Sequence, residues 1–302
     1  MVEAMPFHIF INLMGGETTY IKNIQAEHLT DFGPSKFVMS SLNSFYKEHT
    51  ASPLSIKYVV NGEENYRIAN QNYSVKSGQY FILNEEEDVI IDVNSKENTQ
   101  GVCIYPPLDI MQGALEKLTA GTDQILEGNA PNQKVAFTHK VNRTKSSLAG
   151  RFLEQKLHNL NRNSSLSAIA LFEFYSELGE VLILDQLDIN KELVKLKTHR
   201  KTTQEELYRR LSLAKDWIHD NKLDKIQLET LAEISCLSKF HFLRSFKDLY
   251  GVSPYQYSIQ LKLDEAEIYR LKGFSYAEVS ERVGFSDSKN LKRALKKRGL
   301  AS

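Results

Sequence analysis

The sequence predicts an α+β protein of two domains: an antiparallel β-barrel that carries a helical hairpin, followed by an all-α domain. Three observations support this prediction. The chain has 302 residues, and about 100–200 residues make one typical domain. Short strand-like segments fill much of the first third of the chain. From residue 204 onward the apolar residues follow helical spacing, and a two-helix pattern occurs twice.

The composition is that of an ordinary globular protein. Hydrophobic residues make up 41% and charged residues 25%, with 15 glycines and 7 prolines, which excludes collagen-like and mostly disordered chains. No apolar run approaches the ~18–20 residues of a membrane span, and the N-terminal MVEAMPFHIFINLM lacks a basic start. We therefore expect a cytoplasmic protein without a membrane partner. Cys103 and Cys236 form neither a disulfide framework nor a metal-binding pair.

The predicted barrel rests on four short segments rich in β-branched and aromatic residues, which are 56–60, 79–83, 89–93 and 102–105. Asn61-Gly62 and Ser77-Gly78 lie between segments, where glycine supplies the positive φ of a tight turn. After Pro106-Pro107 the spacing becomes helical. Helices are predicted at 108–118, 143–160 and 165–187.

The domain boundaries follow from these changes in pattern. The first domain is predicted to span 1–187, a charged linker 188–204, and the second domain 205–302. Apolar residues cover more than one face of 165–187, so this helix either packs on the barrel and its neighbouring helix alone, or also contacts a second subunit. We expect a homodimer assembled through 143–187.

Positive charge is concentrated in the second domain. The whole chain has 38 basic and 38 acidic residues, but 205–302 has 18 basic and 14 acidic residues. Six of the basic residues fall in 289–298. Such a cluster is typical of a phosphate-binding surface, although a solvated helix end also favours cations.

The internal repeat predicts two helix-turn-helix units about 48 residues apart. In each unit a small residue inside the first helix allows close crossing, a slim residue (Cys236 or Gly284) occupies the turn, and a serine opens the second helix. Ser275 and Glu278 form the pattern of a capping box before the second unit. Two such units in tandem are far more specific than one.

The segments LAEISCLSKFHFLRSFKDLYGVSPYQY and VSERVGFSDSKNLKRALKKRG resemble the DNA-reading units of the AraC/XylS family of bacterial transcription regulators. More weakly, PLSIKYVVNGEENYRIANQNYSVKSGQYFIL resembles that family's cupin-like effector domain. The chain departs from the family at Cys236, where glycine is usual, and at Leu291 and Leu295, where aromatic residues are common. The resemblance implies a sequence-specific regulator that binds double-stranded DNA, with a small-molecule effector, a homodimeric state and RNA polymerase as a further partner.

The resemblance also assigns roles on the two recognition helices. Phe242 and Phe246 are predicted to face the core. Residues at base-reading positions of the family are Phe240, Leu243, Arg244, Ser288, Lys289, Asn290 and Arg293. Arginine can pair with guanine through two hydrogen bonds, whereas Phe240 offers apolar contact with a thymine methyl or else packs half-buried. Predicted phosphate contacts are Ser238, Lys239, Lys247, Lys292, Lys296 and Lys297.

Catalysis is not expected. None of the eight histidines forms a His-x-His pair and none lies in 56–105, so the barrel lacks the ligand pattern of a metal-dependent cupin. We predict no cofactor and no metal. The aromatic residues Tyr58, Tyr66, Tyr80, Phe81 and Tyr105 either line an effector pocket or belong to the core. The rival interpretation is a small-molecule-binding or enzymatic cupin whose helical tail contacts other proteins.

Overall fold

The computed structural model describes residues 18–22, 36–120, 133–160, 168–196 and 200–298. The chain divides into two compact units, Met1–Ile189 and Asn190–Ser302. The first unit is built on a curled, mainly antiparallel sheet, and the second is helical. The fold class predicted from the sequence is therefore confirmed.

The sheet of the first unit has eight described strands. They are β1 (Thr18–Lys22), β2 (Lys36–Ser52), β3 (Ser55–Asn61), β4 (Glu63–Ile68), β5 (Gln71–Lys76), β6 (Gln79–Leu83), β7 (Glu87–Tyr105) and β8 (Asn142–Arg143). The order is β1-β2-β7-β3-β6-β8, and β4 pairs with both β5 and β7. All pairs are antiparallel except β1 with β2. The long strand β7 thus holds β2, β3 and β4 together.

Glycine shapes two of the turns as predicted. Gly62, between β3 and β4, has φ +83°, and Gly78, between β5 and β6, has φ +75°. Strands β1, β2, β4, β5 and β8 were not predicted, and the segments predicted at 89–93 and 102–105 are parts of one strand, β7. In β4 and β5 the apolar residues alternate with polar ones, because these strands are buried on one face, and the alternation spans only a few residues.

Alternating side chains give the sheet two different faces. Ile56, Ile82 and Ile104 point to one face and pack against helices. Val59 and Phe81 point to the opposite face, inside the curled sheet, where Tyr66, Tyr73 and Val75 join them. The register Ile56↔Ile104 and Ile56↔Ile82 aligns the three strands so that each face is continuous.

Three described helices cover the outer face: α1 (Leu108–Thr119), α2 (Leu148–Leu160) and α3 (Ala168–Lys195). The helix predicted at 143–160 begins five residues late, because Asn142–Arg143 pairs with β6 and Thr144–Ser146 forms a 3-10 turn. Asp185 of α3 accepts hydrogen bonds from the backbone N–H groups of Leu148 and Ala149 at 3.0 and 2.9 Å. This carboxylate satisfies the free donors at the start of α2.

Much of the predicted linker is helical. Helix α3 continues to Lys195, and α4 (Lys201–Asp220) begins five residues after Leu196. Leu193 and Leu196 are buried, so the charged stretch still carries an apolar face. The boundary between the two compact units falls inside α3, after Ile189. The domain limits 1–187, 188–204 and 205–302 stay a prediction.

The second unit continues with α5 (Leu228–Ile234), α6 (Lys239–Tyr250), α7 (Pro254–Leu271), α8 (Tyr276–Arg282) and α9 (Ser288–Lys297). Ser253 starts α7 with a capping box to Gln256, and Ser275 starts α8 with the predicted box to Glu278. Among the helices of the described residues, none is long and apolar enough to cross a membrane.

Two glycines give opposite expectations for alanine substitution. A Cβ on Gly150 of α2 would lie 2.4 Å from both the Cα and the carbonyl oxygen of Thr144, whereas one on Gly113 of α1 would meet no atom within 4 Å. Gly150→Ala should lower the free energy of unfolding by about 1–3 kcal/mol through overpacking. Gly113→Ala should raise it by about 0.5–1 kcal/mol, because alanine favours an exposed helix.

Urea unfolding of the full chain, followed by circular dichroism, measures both effects. Equal shifts of the same sign in the two variants would contradict the packing of Gly150 against Thr144.

Candidate nucleic-acid interface and ligand cavity

The two helix-turn-helix units, α5–α6 and α8–α9, share one turn geometry. The N–H of Leu237 donates to the carbonyl of Ala232 at 3.0 Å, and the N–H of Phe285 donates to the carbonyl of Ser280 at 2.8 Å. Each bond spans five residues and closes the end of a short helix in the same way. Ala232 and Ser280 are small and buried, as the predicted crossing requires. The repeat seen in the sequence is therefore a repeat in structure.

The turn residue adopts left-handed backbone geometry in both units. Cys236 has φ +49° and Gly284 has φ +72°. Glycine takes this conformation without a steric penalty, whereas a residue with a Cβ pays about 1–2 kcal/mol. The thiol of Cys236 is exposed and compensates with no buried contact. Cysteine at this position, where the family usually has glycine, therefore strains the backbone locally.

Helix α6 presents one face to the core and the other to solvent. Ser238 caps its first turn by accepting from the N–H of His241, and Gly251 ends it with φ +76°. Phe242 and Phe246 are buried as predicted, and their ring centroids lie 5.5 Å apart. The opposite face is open to solvent.

The predicted base-reading residues of α6 lie on that open face. Phe240 is 77% exposed and Leu243 38% exposed, which rules out a half-buried Phe240 in the free chain. The Arg244 side chain is exposed, with Nε 4.0 Å from Asp248 Oδ2. Phe240 and Leu243 therefore give this open face two apolar side chains beside the cationic Arg244.

The residues of this unit that are predicted to contact phosphates differ in the bonds that they already form within the protein. Lys247 is exposed. Lys239 forms an ion pair with Glu229 of α5. Ser238 already acts as the helix cap. DNA would therefore have to compete with Glu229 for Lys239.

Helix α9 is organised in the same way. Leu291 and Leu295 are buried among Leu263 and Ala266 of α7, Val279 of α8 and Val283, which follows α8 directly. These leucines fill the core at positions where the family commonly has aromatic residues. The remaining predicted contacts are Ser288, which is half-buried, and Lys289, Asn290, Lys292, Arg293, Lys296 and Lys297, which are exposed.

The polar side chains at the start of α9 form hydrogen bonds with one another. Asp287 caps the helix by accepting from the N–H of Asn290 at 2.7 Å. The Asn290 amide nitrogen also donates to Asp287 Oδ2 and Ser286 Oγ, both at 2.9 Å. Asn290 must exchange these bonds before it can read a base.

The basic cluster at the end of the chain is partly engaged. Arg298 forms an ion pair with Asp264 of α7 at 2.7 Å, and the Lys292 ammonium lies 4.7 Å from the centre of the Tyr276 ring. Lys289, Arg293, Lys296 and Lys297 are exposed and form no ion pair within the described ranges. These four cations form the open part of the surface.

A cavity lies inside the curled sheet of the first unit. It has about 580 Å³ of space, part of it open to solvent, and β2, β3, β4 and β7 line it. Its apolar walls include Val38, Leu42, Phe45, Ile91 and Val93. The cavity therefore combines apolar side chains with an opening to solvent, as small-molecule sites do.

The structure brings two of the five predicted aromatic residues to this cavity. Tyr66 and Tyr105 line it. The other three do not line it. Tyr58 and Tyr80 point to the helix-covered face, and Phe81 is fully buried in the apolar cluster beside Tyr73. The alternation of β3 and β6 puts Tyr58 and Tyr80 on the same outer face, because they are cross-strand partners.

Sequence reasoning missed the charged residues of the cavity. Lys57 is buried, and its Nζ lies 2.8 Å from Cys103 Sγ and 3.4 Å from Tyr105 Oη. Glu64 is buried and accepts a short hydrogen bond from the Tyr66 hydroxyl. The available signal was a lysine inside the apolar run Ile-Lys-Tyr-Val-Val, where strand alternation places Lys57 on the same face as Val59.

Burial controls the charges in this cavity. It lowers the pKa of the His49 imidazole to about 4, and the charges of Lys47 and Lys57 act in the same direction. It raises the pKa of the Glu64 carboxyl, against the hydrogen bond from Tyr66 and the charge of Lys57. For Lys57, burial opposes the charged form, but Cys103 and Tyr105 outweigh it and raise the pKa. Lys57 is thus held in its charged form although it is buried.

A metal site is not formed by the described side chains. In the ranges that the structure covers, no three His, Cys, Asp or Glu residues converge as metal ligands would. Glu87, the first residue of β7, instead contacts His139, with 2.8 Å between Oε2 and Nε2. That contact lowers the pKa of the Glu87 carboxyl, against the effect of burial.

Comparison with known families matches both units. Residues 39–167 match the model of an AraC-like ligand binding domain, and residues 231–299 match that of a helix-turn-helix domain. The first match contains the cavity, and the second contains α6 and α9.

Individual relatives agree with these matches. The HTH-type transcriptional regulator YbfI of Bacillus subtilis is 24% identical over 243 residues, which cover 78% of each chain. The multiple antibiotic resistance protein MarA of Escherichia coli is 35% identical over 82 residues, 27% of this chain and 65% of MarA. A solved structure of ToxT from Vibrio cholerae is 12% identical over 87% of this chain and 94% of that chain, with a TM-score of 0.35.

The fold and the two sites define a DNA-binding transcription regulator with a ligand-binding barrel. Its second unit has tandem helix-turn-helix motifs with exposed recognition faces, and its first unit has a cavity within the part that matches a ligand binding domain. The chain belongs to the AraC/XylS family of transcription regulators. The family resemblance stated from the sequence is confirmed.

The two turn residues are expected to respond in opposite ways to substitution. Cys236→Gly should raise the free energy of unfolding by up to about 1 kcal/mol, because relief of the left-handed strain exceeds the added entropy of the unfolded chain. Gly284→Ala should lower it by about 1–2 kcal/mol. The new Cβ would also lie 3.0 Å from Lys262 Nζ and 3.2 Å from the Leu223 carbonyl oxygen.

Thermal unfolding of the two variants and the parent measures both shifts. A destabilised Cys236→Gly variant would show that the thiol makes a stabilising contact.

Proposed function

We propose that the chain reads DNA through the outward faces of α6 and α9. The base-reading residues are Phe240, Leu243 and Arg244 in the first unit and Ser288, Lys289, Asn290 and Arg293 in the second. The observation that supports this most strongly is that both helices bury one face under the same turn and leave these residues outside. Exposed apolar and cationic side chains side by side suit the major groove of DNA, where thymine offers a methyl group and guanine offers hydrogen-bond acceptors.

Phosphate contacts set the register of the two helices in this proposal. Four of the residues proposed to contact phosphates are exposed: Lys247, Lys292, Lys296 and Lys297. Lys239 can contact a phosphate when its ion pair with Glu229 breaks, and Ser238 when its hydroxyl is released from the helix cap. Such contacts carry no sequence information, but they contribute much of the affinity.

The regulator is further proposed to act as a homodimer assembled through 143–187. Within the described part of this segment, Ile169 is 72% exposed and Phe172 is 61% exposed on α3. Their neighbours Phe174 and Leu178 are buried against the barrel's helical core. A second copy covering Ile169 and Phe172 would remove the methyl groups of Ile169 and the ring of Phe172 from water, and it would double the DNA site.

The cavity of the first unit is proposed as the effector site. An effector changes DNA affinity only if it favours one state of the protein over another. RNA polymerase is the further partner of this proposal, and the chain is proposed to have no catalytic activity. The names of the relatives YbfI and MmsAB operon regulatory protein fit a regulatory role.

Sequence readout by Arg244 can be separated from phosphate binding by Lys297. With a duplex selected from a random pool, Arg244→Ala should cost about 1–3 kcal/mol and relax preference at one base pair. Lys297→Ala should weaken all duplexes about equally and reduce the salt slope by about 1. Gel-shift titrations against single-base variants at several salt concentrations measure these effects, with Lys76→Ala on β5 as the charge-matched control.

If Arg244→Ala weakened every duplex alike, Arg244 would be a phosphate contact. If the parent bound no duplex at low salt, the helical unit would instead serve protein contacts.

The dimer proposal is tested by charge on the exposed patch of α3. Ile169→Glu with Phe172→Glu should give a folded monomer, because both side chains are exposed in the single chain. Leu178→Glu is the contrasting control, since Leu178 is fully buried and a charge there should unfold the unit. Light scattering with circular dichroism reports both. A parent that is monomeric at micromolar concentration, or a double variant that stays dimeric, would refute the interface.

A further inference from the structure

The cavity of the first unit contains a buried cation surrounded by apolar walls. Lys57 is buried in β3, and its ammonium donates to Cys103 Sγ at 2.8 Å and contacts Tyr105 Oη at 3.4 Å. Among the described residues, no carboxylate lies within ion-pair distance of Lys57. A thiol and a phenol compensate a positive charge only partly.

The acidic group of the cavity is already engaged elsewhere. The Glu64 carboxyl takes the hydrogen bond of the Tyr66 hydroxyl. It also lies against the backbone of Gly101, where an added Cβ would be 2.4 Å from Glu64 Oε1. The absence of a side chain at Gly101 thus leaves room for the carboxyl in a fixed place. Burial raises the pKa of the Glu64 carboxyl and lowers the pKa of the His49 imidazole, so it disfavours the charged form of both groups.

Apart from Ser40 and His49, the rest of the lining is apolar. Val38, Leu42, Phe45, Ile91 and Val93 surround the polar end. A sugar or polyol needs many donors and acceptors around it, and a phosphate dianion needs more than one cation. A molecule with one anionic group and an apolar body matches this lining better than either.

We propose that the effector is a small monoanionic organic molecule, a carboxylate on an apolar or aromatic body, whose anion pairs with the Lys57 ammonium. This inference rests on the proposed role of the cavity as the effector site. Lys57 fixes the orientation of the ligand, and the apolar walls of β2 and β7 hold its body.

Binding to the full-length chain is measured by titration calorimetry with two matched probe pairs. Cinnamate is compared with cinnamamide, and octanoate with octanamide, so that each pair keeps its body and differs in charge. At least one acid should bind at least tenfold more tightly than its amide. If no acid binds more tightly than its amide, the proposal is overturned.

Two substitutions assign the preference to its residues. Lys57→Met keeps the length of the side chain and should abolish the difference between acid and amide, whereas Lys76→Met on the surface should leave it unchanged. A Lys57→Met variant that retains the preference overturns the proposal. Glu64→Gln keeps the shape of the cavity and should leave acid affinity equal or higher, so a loss of acid affinity in this variant also overturns it, even if Lys57→Met fails to fold.

Gel shifts without any probe are run on the same protein samples. A parent that binds DNA but does not prefer the acids refutes the ligand class alone. A parent that prefers the acids but binds no DNA refutes the regulatory function and leaves the anion site standing.

Discussion

The alternation of side chains along β3, β6 and β7 is the constraint on which the first unit depends. The register that pairs Ile56 with Ile82 and Ile104 makes one face wholly apolar, and the helices cover it. The same register places Lys57 opposite Phe81 and Cys103 on the other face. A slip by one residue would bury Lys57 under the helices and expose Ile56. The register of these three strands therefore determines both which residues pack under the helices and which residues line the cavity.

The second unit follows the same logic with helical spacing. Phe242 and Phe246 in α6, and Leu291 and Leu295 in α9, recur every four residues and bury one face of each helix. The turn before each helix fixes its rotation, because the bond from residue 237 to 232 and that from 285 to 280 close the turns alike. The residues left outside are then those available to DNA. Strain at Cys236 is confined to the turn and does not alter this geometry.

The sequence predicts what depends on periodicity and turn chemistry. The strand segments, the glycine turns at Gly62 and Gly78 and the inward leucines of α9 all follow from local patterns. The start of α2 does not, because it is fixed by Asp185, a residue 37 positions away in the chain. Membership of the cavity also depends on how the sheet curls, which is why Tyr58, Tyr80 and Phe81 fitted the pattern and yet lie in cores.

In the absence of DNA, some residues of the recognition helices already bond to other parts of the protein. These existing bonds determine how much binding free energy each residue can add when DNA binds. Lys239 would replace its ion pair with Glu229 by an ion pair with a phosphate. Because both ion pairs lie at an exposed site, the net gain in binding free energy is small. Asn290 likewise gives up bonds to Asp287 and Ser286 before it reaches a base. Arg293 is exposed without an ion pair in the described ranges, and Phe240 gives up only water. Discrimination between base sequences should therefore depend most on the residues that form no such bonds within the folded chain. Residues that must give up a bond to reach DNA should increase this discrimination, because a mismatched base does not replace the bond that they lose.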